Sequence, residues 1–458
     1  MRIHIKRLEL VLVLLLVVGL AACQKAGPSL RYGTDPSFKA LVDLPPAPYP
    51  PVRFLVVSDL HIYDVSLGTE GDAFEHYLAN DRKLLRESTE ILATVVGEAA
   101  GVAADFVLIP GDLTKDGEEA AHHLAVGYLN QLEAGGKAVY VVPGNHDVAN
   151  PEAVRFLGDR TEPVPNVTTD QFAQIYTEFG YGEALYRDPA SLSYVAEPVP
   201  GLWLLALDAC RYQENVAGEG HVVDGRFGAA TLEWMEGMLA EAVRQENAVI
   251  AMMHHGVVEH YATQEKEFGE YLVDDYPTIS RLLAMYNARL VFTGHYHAQD
   301  VVQAHWKKPA KFVFDVETGS LVSYPNPYRL VSISADQKAS IESFAVNAIA
   351  SHPDEFPAYS RSYTGQGIAS IATEVIKEYG VKEAEASGLA DQIAEAFLAH
   401  YAGDETLAEG QKPVDLTGLS VRGWLVVQFR KGLVNGLWDD LEPADNNLTI
   451  DLMTGSWE

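Results

Sequence analysis

Five times along the chain an apolar run ends in a turn that carries Asp, Asn or His. The blocks are Val56-Val57-Ser58-Asp59-Leu60-His61, Val107-Leu108-Ile109-Pro110-Gly111-Asp112, Val141-Val142-Pro143-Gly144-Asn145-His146-Asp147, Val249-Ile250-Ala251-Met252-Met253-His254-His255 and Leu290-Val291-Phe292-Thr293-Gly294-His295-Tyr296-His297. Apolar runs of this length predict strands buried on both faces. Parallel strands gather their chemistry at their carboxyl ends, so the five blocks are expected to meet at one site.

Between the blocks the period changes. Leu84, Leu85, Ile91, Leu92, Val95 and Val96 share one face of a helix over Leu84 to Val96, and a second helix runs through His122, His123, Leu124 and Leu129. Strands alternating with helices make the class α/β. Tyr63 to Asn80, polar with Gly68 and Gly71, reads as a loop. Phe172, Ile175, Tyr176 and Phe179 predict one helical face within an insertion from Asn150 to Pro200. Phe312 to Phe314, Tyr328 to Ile333 and Ser340 to Val346 read as strands closing the second sheet. Beyond Ser351 the pattern is helical, with Ile368, Ile371, Val375, Leu389, Ile393, Phe397, Trp424 and Phe429 as its apolar positions.

Convergence of the blocks would bring together Asp59, Asp112 and Asn145 with the imidazoles of His61, His254, His295 and His297, and no thiol. Such nitrogen and oxygen ligands suit Mn, Fe or Zn, and seven are too many for one ion. Two metals sharing a bridging carboxylate would use them all. Adjacent histidines on a helix point about 100° apart, so His122 and His123 are read as structural, and His76 as a surface residue.

This order of blocks, from Val52 to Val302, resembles the calcineurin-like metallophosphoesterase superfamily. The resemblance implies a two-sheet αββα sandwich over residues 52–346, with a small all-α C-terminal domain over 352–458. It implies two divalent transition metals, Mn favoured over Fe or Zn. One would be held by Asp59, His61 and His297 and the other by Asn145, His254 and His295, with Asp112 bridging. His254 and His255 end the same strand and face opposite sides of it; the resemblance selects His254, although Gly256 replaces the Pro common there. It also implies that a hydroxide between the ions attacks phosphorus directly. His146 would then contact the phosphate or protonate the leaving oxygen, and Asp147 would orient its imidazole. The insertion, with Ser191-Leu192-Ser193-Tyr194 and Leu207-Asp208-Ala209-Cys210, is similar to a bacterial lipoprotein subfamily of cyclic-nucleotide phosphodiesterases. The helical segment is similar to that subfamily's C-terminal domain.

Composition narrows the partners. The 458 residues are 48% hydrophobic, enough for two cores. The net charge of −31 argues against a nucleic-acid polymer as partner. A small phosphodiester remains compatible with it, because two divalent ions would reverse the sign of their own site.

Residues 1–22 begin with Arg2, Lys6 and Arg7 and continue in an apolar stretch from Leu10 to Ala22, the form of a secretory signal. Leu20-Ala21-Ala22-Cys23 resembles a bacterial lipobox, which implies cleavage before Cys23, its diacylation, and a membrane-anchored lipoprotein of the cell envelope. Gln24 is not the Asp that tends to retain such proteins in the inner membrane. Residues 23–51, rich in Pro, read as an extended tether. With Cys23 lipidated, Cys210 has no disulfide partner and reads as a buried small residue.

Three functions fit these observations. The first is hydrolysis of phosphodiesters, with cyclic nucleotides as the leading substrate. The second uses the same site on phosphomonoesters, nucleotide sugars or phosphoproteins. The third is a non-catalytic surface binding protein with a vestigial site, against which the full ligand set stands. Oligomeric state is left open.

Overall fold

A computed structural model describes residues 30–308 and 310–458. Strands β1 (Val52–Val56), β2 (Phe106–Ile109) and β3 (Ala138–Val141) run parallel in the first sheet. β13 (Pro327–Ile333), β14 (Lys338–Ala345) and β15 (Asn447–Asp451) extend it antiparallel on the far side of β1, giving the order β15-β14-β13-β1-β2-β3. The second sheet contains β6 (Tyr186–Arg187), β7 (Tyr194–Val199), β8 (Leu202–Leu207), β9 (Ala248–Met253), β10 (Leu290–Thr293), β11 (Asp300–Lys307) and β12 (Ala310–Glu317). Their order is β11-β12-β10-β9-β8-β7-β6. A hairpin of β4 (Val154–Leu157) and β5 (Arg160–Pro163) stands apart.

The two sheets face each other across one apolar core, where Phe54 of β1 packs edge-on against Phe292 of β10 with ring centroids 5.2 Å apart. Helices Ser88–Ala99 and Glu119–Ala134 pack against the first sheet, and Ala229–Arg244 and Tyr276–Met285 against the second. The four-layer αββα arrangement and the helical C-terminal region are borne out. Among the described residues, no helix is long and apolar enough to cross a membrane.

Some segment readings need correction. β13 and β14 belong to the first sheet, not the second, because β13 pairs with β1 from Val52↔Ile333 to Val56↔Arg329. Tyr63 to Asn80 is not a plain loop: Asp72–Ala79 is a helix that buries Phe74 and Leu78 on one face. The helix in the insertion stops at Ile175, and the chain kinks through Phe179 and Gly180, where Gly180 has φ 109° beside the Tyr194 hydroxyl. The tether reading fails for residues 31–51. Helix Pro36–Val42 buries Phe38 and Val42 in the outer core of the second sheet, and Tyr49 is buried with its hydroxyl donating to Val249 O at 2.9 Å. Cys23 and the signal segment lie outside the described residues.

The C-terminal segment is built on an antiparallel pair, Phe356–Glu378 and Glu383–Ala402, followed by Val421–Phe429 and Lys431–Gly436. It is not helical to residue 458, since β15 leaves it to pair with β14 and buries Leu448 and Ile450 in the sandwich core.

Candidate active site

The five blocks deliver their polar residues to one place. Asp59, His61, Asp112, His295 and His297 all have positive φ, between 37° and 78°. Non-glycine residues rarely adopt this conformation, and they do so at functional sites where the surroundings over-determine the backbone. The turns also hold one another. The Asp59 carboxylate accepts from the His295 amide at 3.1 Å, and the Asp112 carboxylate accepts from the His146 amide at 3.0 Å. Both contacts need glycine. A Cβ on Gly144 would run into the Asp112 carboxylate, and one on Gly294 into that of Asp59.

Two groups result, with Asp112 in each: Asp59, His61, Asp112 and His297, and Asp112, His254 and His295. All are buried. In the first, His61 Nε2 and His297 Nε2 face each other at 3.2 Å, with Asp112 Oδ2 3.5 Å from the former and Asp59 Oδ1 3.4 Å from the latter. In the second, His254 donates from Nδ1 to Pro110 O at 2.8 Å, which turns Nε2 towards Asn145 Oδ1 at 2.9 Å and Asp112 Oδ2 at 3.3 Å. That outer bond fixes the tautomer a metal-binding imidazole uses. His295 Nε2 is buried with no hydrogen-bond partner. His255 is not part of the group: its Nε2 donates to Val223 O at 2.9 Å.

The electrostatics fit cations. Burial lowers His61, His295 and His297, so these imidazoles stand neutral, as ligands must be. Burial acts the same way on His254, but the Asp112 carboxylate outweighs it and brings the imidazole up to about 9. A nitrogen facing two oxygens must bind either a proton or a cation. The residues therefore suit two divalent ions, one on Asp59, His61 and His297, the other on Asn145, His254 and His295, with Asp112 common to both.

His146 stands at the rim, its side chain 16% exposed and its Nε2 3.9 Å from Asp112 Oδ2. The residue that orients it is not Asp147. The Asp147 carboxylate accepts from the amides of Leu113, Thr114 and Gly144 and from the Thr114 hydroxyl, tying the second block to the third. Burial and the neighbouring Asp112 charge push it up to about 7 against the pull of those donors. Asp116 Oδ1 instead accepts a hydrogen bond from His146 Nδ1 at 2.8 Å. Asp116 is paired with buried Lys115, which also reaches Glu118 at 2.9 Å. Beside His146 lies His221, with ring centroids 4.3 Å apart and its Nδ1 on Glu152 Oε2 at 2.5 Å.

Asp116, Glu152 and His221 escaped the sequence reading. Asp116 had a signal, one turn of chain after Asp112 in Gly111-Asp112-Leu113-Thr114-Lys115-Asp116. His221 had none, since its loop carries no strand or second ligand. His122 is structural, accepting from the Tyr176 hydroxyl and donating to Asp147 O, both at 2.9 Å. Cys210 is buried, with its thiol on Pro143 O at 3.4 Å.

The calcineurin-like phosphoesterase family profile matches residues 52–299, more than half of the chain. The chain belongs to that family and is a metal-dependent hydrolase of phosphate esters. It is 25% identical over 225 residues, 48% of this chain and 70% of the relative, to a probable cyclic nucleotide phosphodiesterase of Synechococcus sp.. Among solved structures, a dimetal phosphatase from Danio rerio aligns over 65% of this chain and 97% of its own, at 16% identity and a TM-score of 0.45. The sulfate thiohydrolase SoxB of Thermus thermophilus aligns over 71% and 61%, at 14% identity and a TM-score of 0.33.

Proposed function

We propose that the chain hydrolyses phosphodiesters, cyclic nucleotides foremost, at the bacterial cell envelope, held there by acylated Cys23. The observation that carries the reaction is the sharing of Asp112 between two buried groups of imidazole and oxygen ligands. The name of the Synechococcus relative supports the cyclic-nucleotide reading. The ligand types suit Mn, Fe or Zn, and the family resemblance puts Mn first.

Two ions, when bound, would supply positive charge for the phosphoryl oxygens and acidify water into a nucleophile. The chain's own part is positioning and proton transfer. Asp59 and Asp112 fix the turns that aim His295 and His146. His146, its Nδ1 held by Asp116, presents Nε2 to the substrate and is the candidate donor to the leaving oxygen. His221, held by Glu152, lines the same rim.

The test is turnover by protein loaded separately with Mn, Fe and Zn on 3′,5′-cyclic AMP, bis(p-nitrophenyl) phosphate, p-nitrophenyl phosphate and a uridine diphosphate sugar. Diesters should be cleaved at least about tenfold faster per active site than the monoester, a difference of ~1.4 kcal/mol in barrier. A faster monoester or nucleotide sugar would replace the diester reading. For location, expression in a bacterium should give a membrane-bound, acylated protein, and Cys23→Ser should release it from membranes or leave it uncleaved. Full membrane retention of a cleaved Cys23→Ser variant would remove the anchor.

A further inference from the structure

The helical segment and the catalytic domain enclose a cavity of about 430 Å³, within the range of small-molecule sites. Helix Phe356–Glu378 lines it with Ile368, Ile371, Ala372, Val375 and Ile376, and Tyr379 just past its end continues the same face. At 1.5 Å per residue they span about 17 Å, close to the ~15 Å of one leaflet's hydrocarbon. Phe397, Val427 and Leu433 form opposing walls. Walls of this kind favour an apolar occupant over water. Val375 and Tyr379, each 43% exposed, mark where it meets solvent.

The charged groups around it are not equivalent. Near Tyr379, Arg430 is taken up by Glu267 at 2.8 Å and by the Tyr379 hydroxyl at 3.2 Å. Arg82 lies at the other end, where its backbone packs against Gly367. Its Nε is buried without a hydrogen-bond partner, while the rest of its guanidinium hydrogen-bonds the phenols of Tyr271 and Tyr401. Asp81, the carboxylate that acts on it, is already placed 3.5 Å from Lys83 Nζ.

We propose that this cavity binds an anionic single-chain amphiphile of the fatty-acid class, with its head group at Arg82 and its tail running along Phe356–Glu378 towards Val375 and Tyr379. An acyl chain fills the apolar volume, and the anion supplies a charged acceptor for Arg82, whose Nε has none. The site goes beyond the reaction at the metal centre and does not depend on which ester is cleaved. Tyr271 joins the two places, since it lines the cavity and packs on His295 with ring centroids 4.6 Å apart.

Calorimetric titration of the full chain with monomeric dodecanoate tests it without any turnover. One saturable site per chain is expected, with dodecanol bound at least about tenfold more weakly. Ala372→Trp, which fills the cavity, should weaken dodecanoate by more than about tenfold, and Arg82→Gln should bring dodecanoate and dodecanol to equal affinity. Because either variant can disturb folding, the wild type is also titrated with 12-bromododecanoate. Saturable quenching of tryptophan fluorescence is expected, from Trp438, which packs on the cluster containing Ile368 and Leu433. Absence of saturable binding, equal affinity of the wild type for dodecanol, or undiminished binding by a folded Ala372→Trp would overturn the proposal.

Discussion

The imidazoles of His146 and His221 lie side by side, and each has its Nδ1 occupied by a carboxylate, Asp116 for the one and Glu152 for the other. Both rings are left with Nε2 as the nitrogen free for chemistry. General acid catalysis is worth about 10²–10⁴ in rate and matters most for a poor leaving group. His146→Ala should therefore lose most of that factor on a cyclic nucleotide and much less on bis(p-nitrophenyl) phosphate, with metal content unchanged. Asp116→Asn should show the same leaving-group dependence at smaller size. Equal losses on both substrates would assign His146 to charge stabilisation at the phosphoryl oxygens instead.

Asp112 belongs to both ligand groups, whereas Asn145 touches only the His254 side. Asp112→Ala should strip both ions and abolish turnover, while Asn145→Ala should weaken one ion by about 10–100-fold. Metal analysis by mass spectrometry after gel filtration checks this. Two tightly held ions in Asp112→Ala would contradict the shared ligand.

Gly144 gives a packing test of the same centre. Its hydrogen faces the Asp112 carboxylate where a methyl group would collide. Gly144→Ala should keep its circular dichroism yet lose metal affinity by about 10–100-fold, the usual size of an effect on ligand orientation. Normal affinity would mean that the third block can shift without cost.

His122 makes stability depend on pH. Burial holds its imidazole down at about 3, while an unfolded histidine takes up its proton near ~6.5. Between those values the unfolded chain binds more protons. This contribution to stability therefore rises with pH, by up to ~1.4 kcal/mol per unit, and is flat above ~6.5. His122→Gln lacks the slope. The gap between wild type and His122→Gln in urea unfolding should narrow as pH falls from about 7 to about 4.5, and a constant gap would show His122 protonated in the fold.

What was legible in the chain follows from distance along it. Each ligand block couples a buried strand to its own polar turn within six to eight residues, so local pattern was enough to bring Asp59, His61, Asp112, Asn145, His295, His297 and one of His254 and His255 together. Choosing His254 over His255 needed the resemblance, because both residues end the same strand; Pro110 and Val223 separate them in the structure. Asp147 was misread for the opposite reason. Its neighbour in sequence is His146, but its partners are amides of another block. His221 and Glu152 meet only because two loops fold over the rim. The docked residues 31–51 were hidden by their prolines. Phe38 and Val42 nevertheless stood one helical turn apart, the spacing that buries both.

The route of β15 bears on how the chain is made. The first sheet begins with β1, β2 and β3 early in the sequence, yet its edge against β14 is completed by residues 447–451, after the whole helical segment. During synthesis the nascent sheet must wait, with the outer edge of β14 unpaired, until those residues arrive. A ribosome that stops within the helical segment would release a chain with its ligand blocks present and an open strand edge. Such a product would be lost to aggregation and proteolysis before any defect at the metal centre could matter.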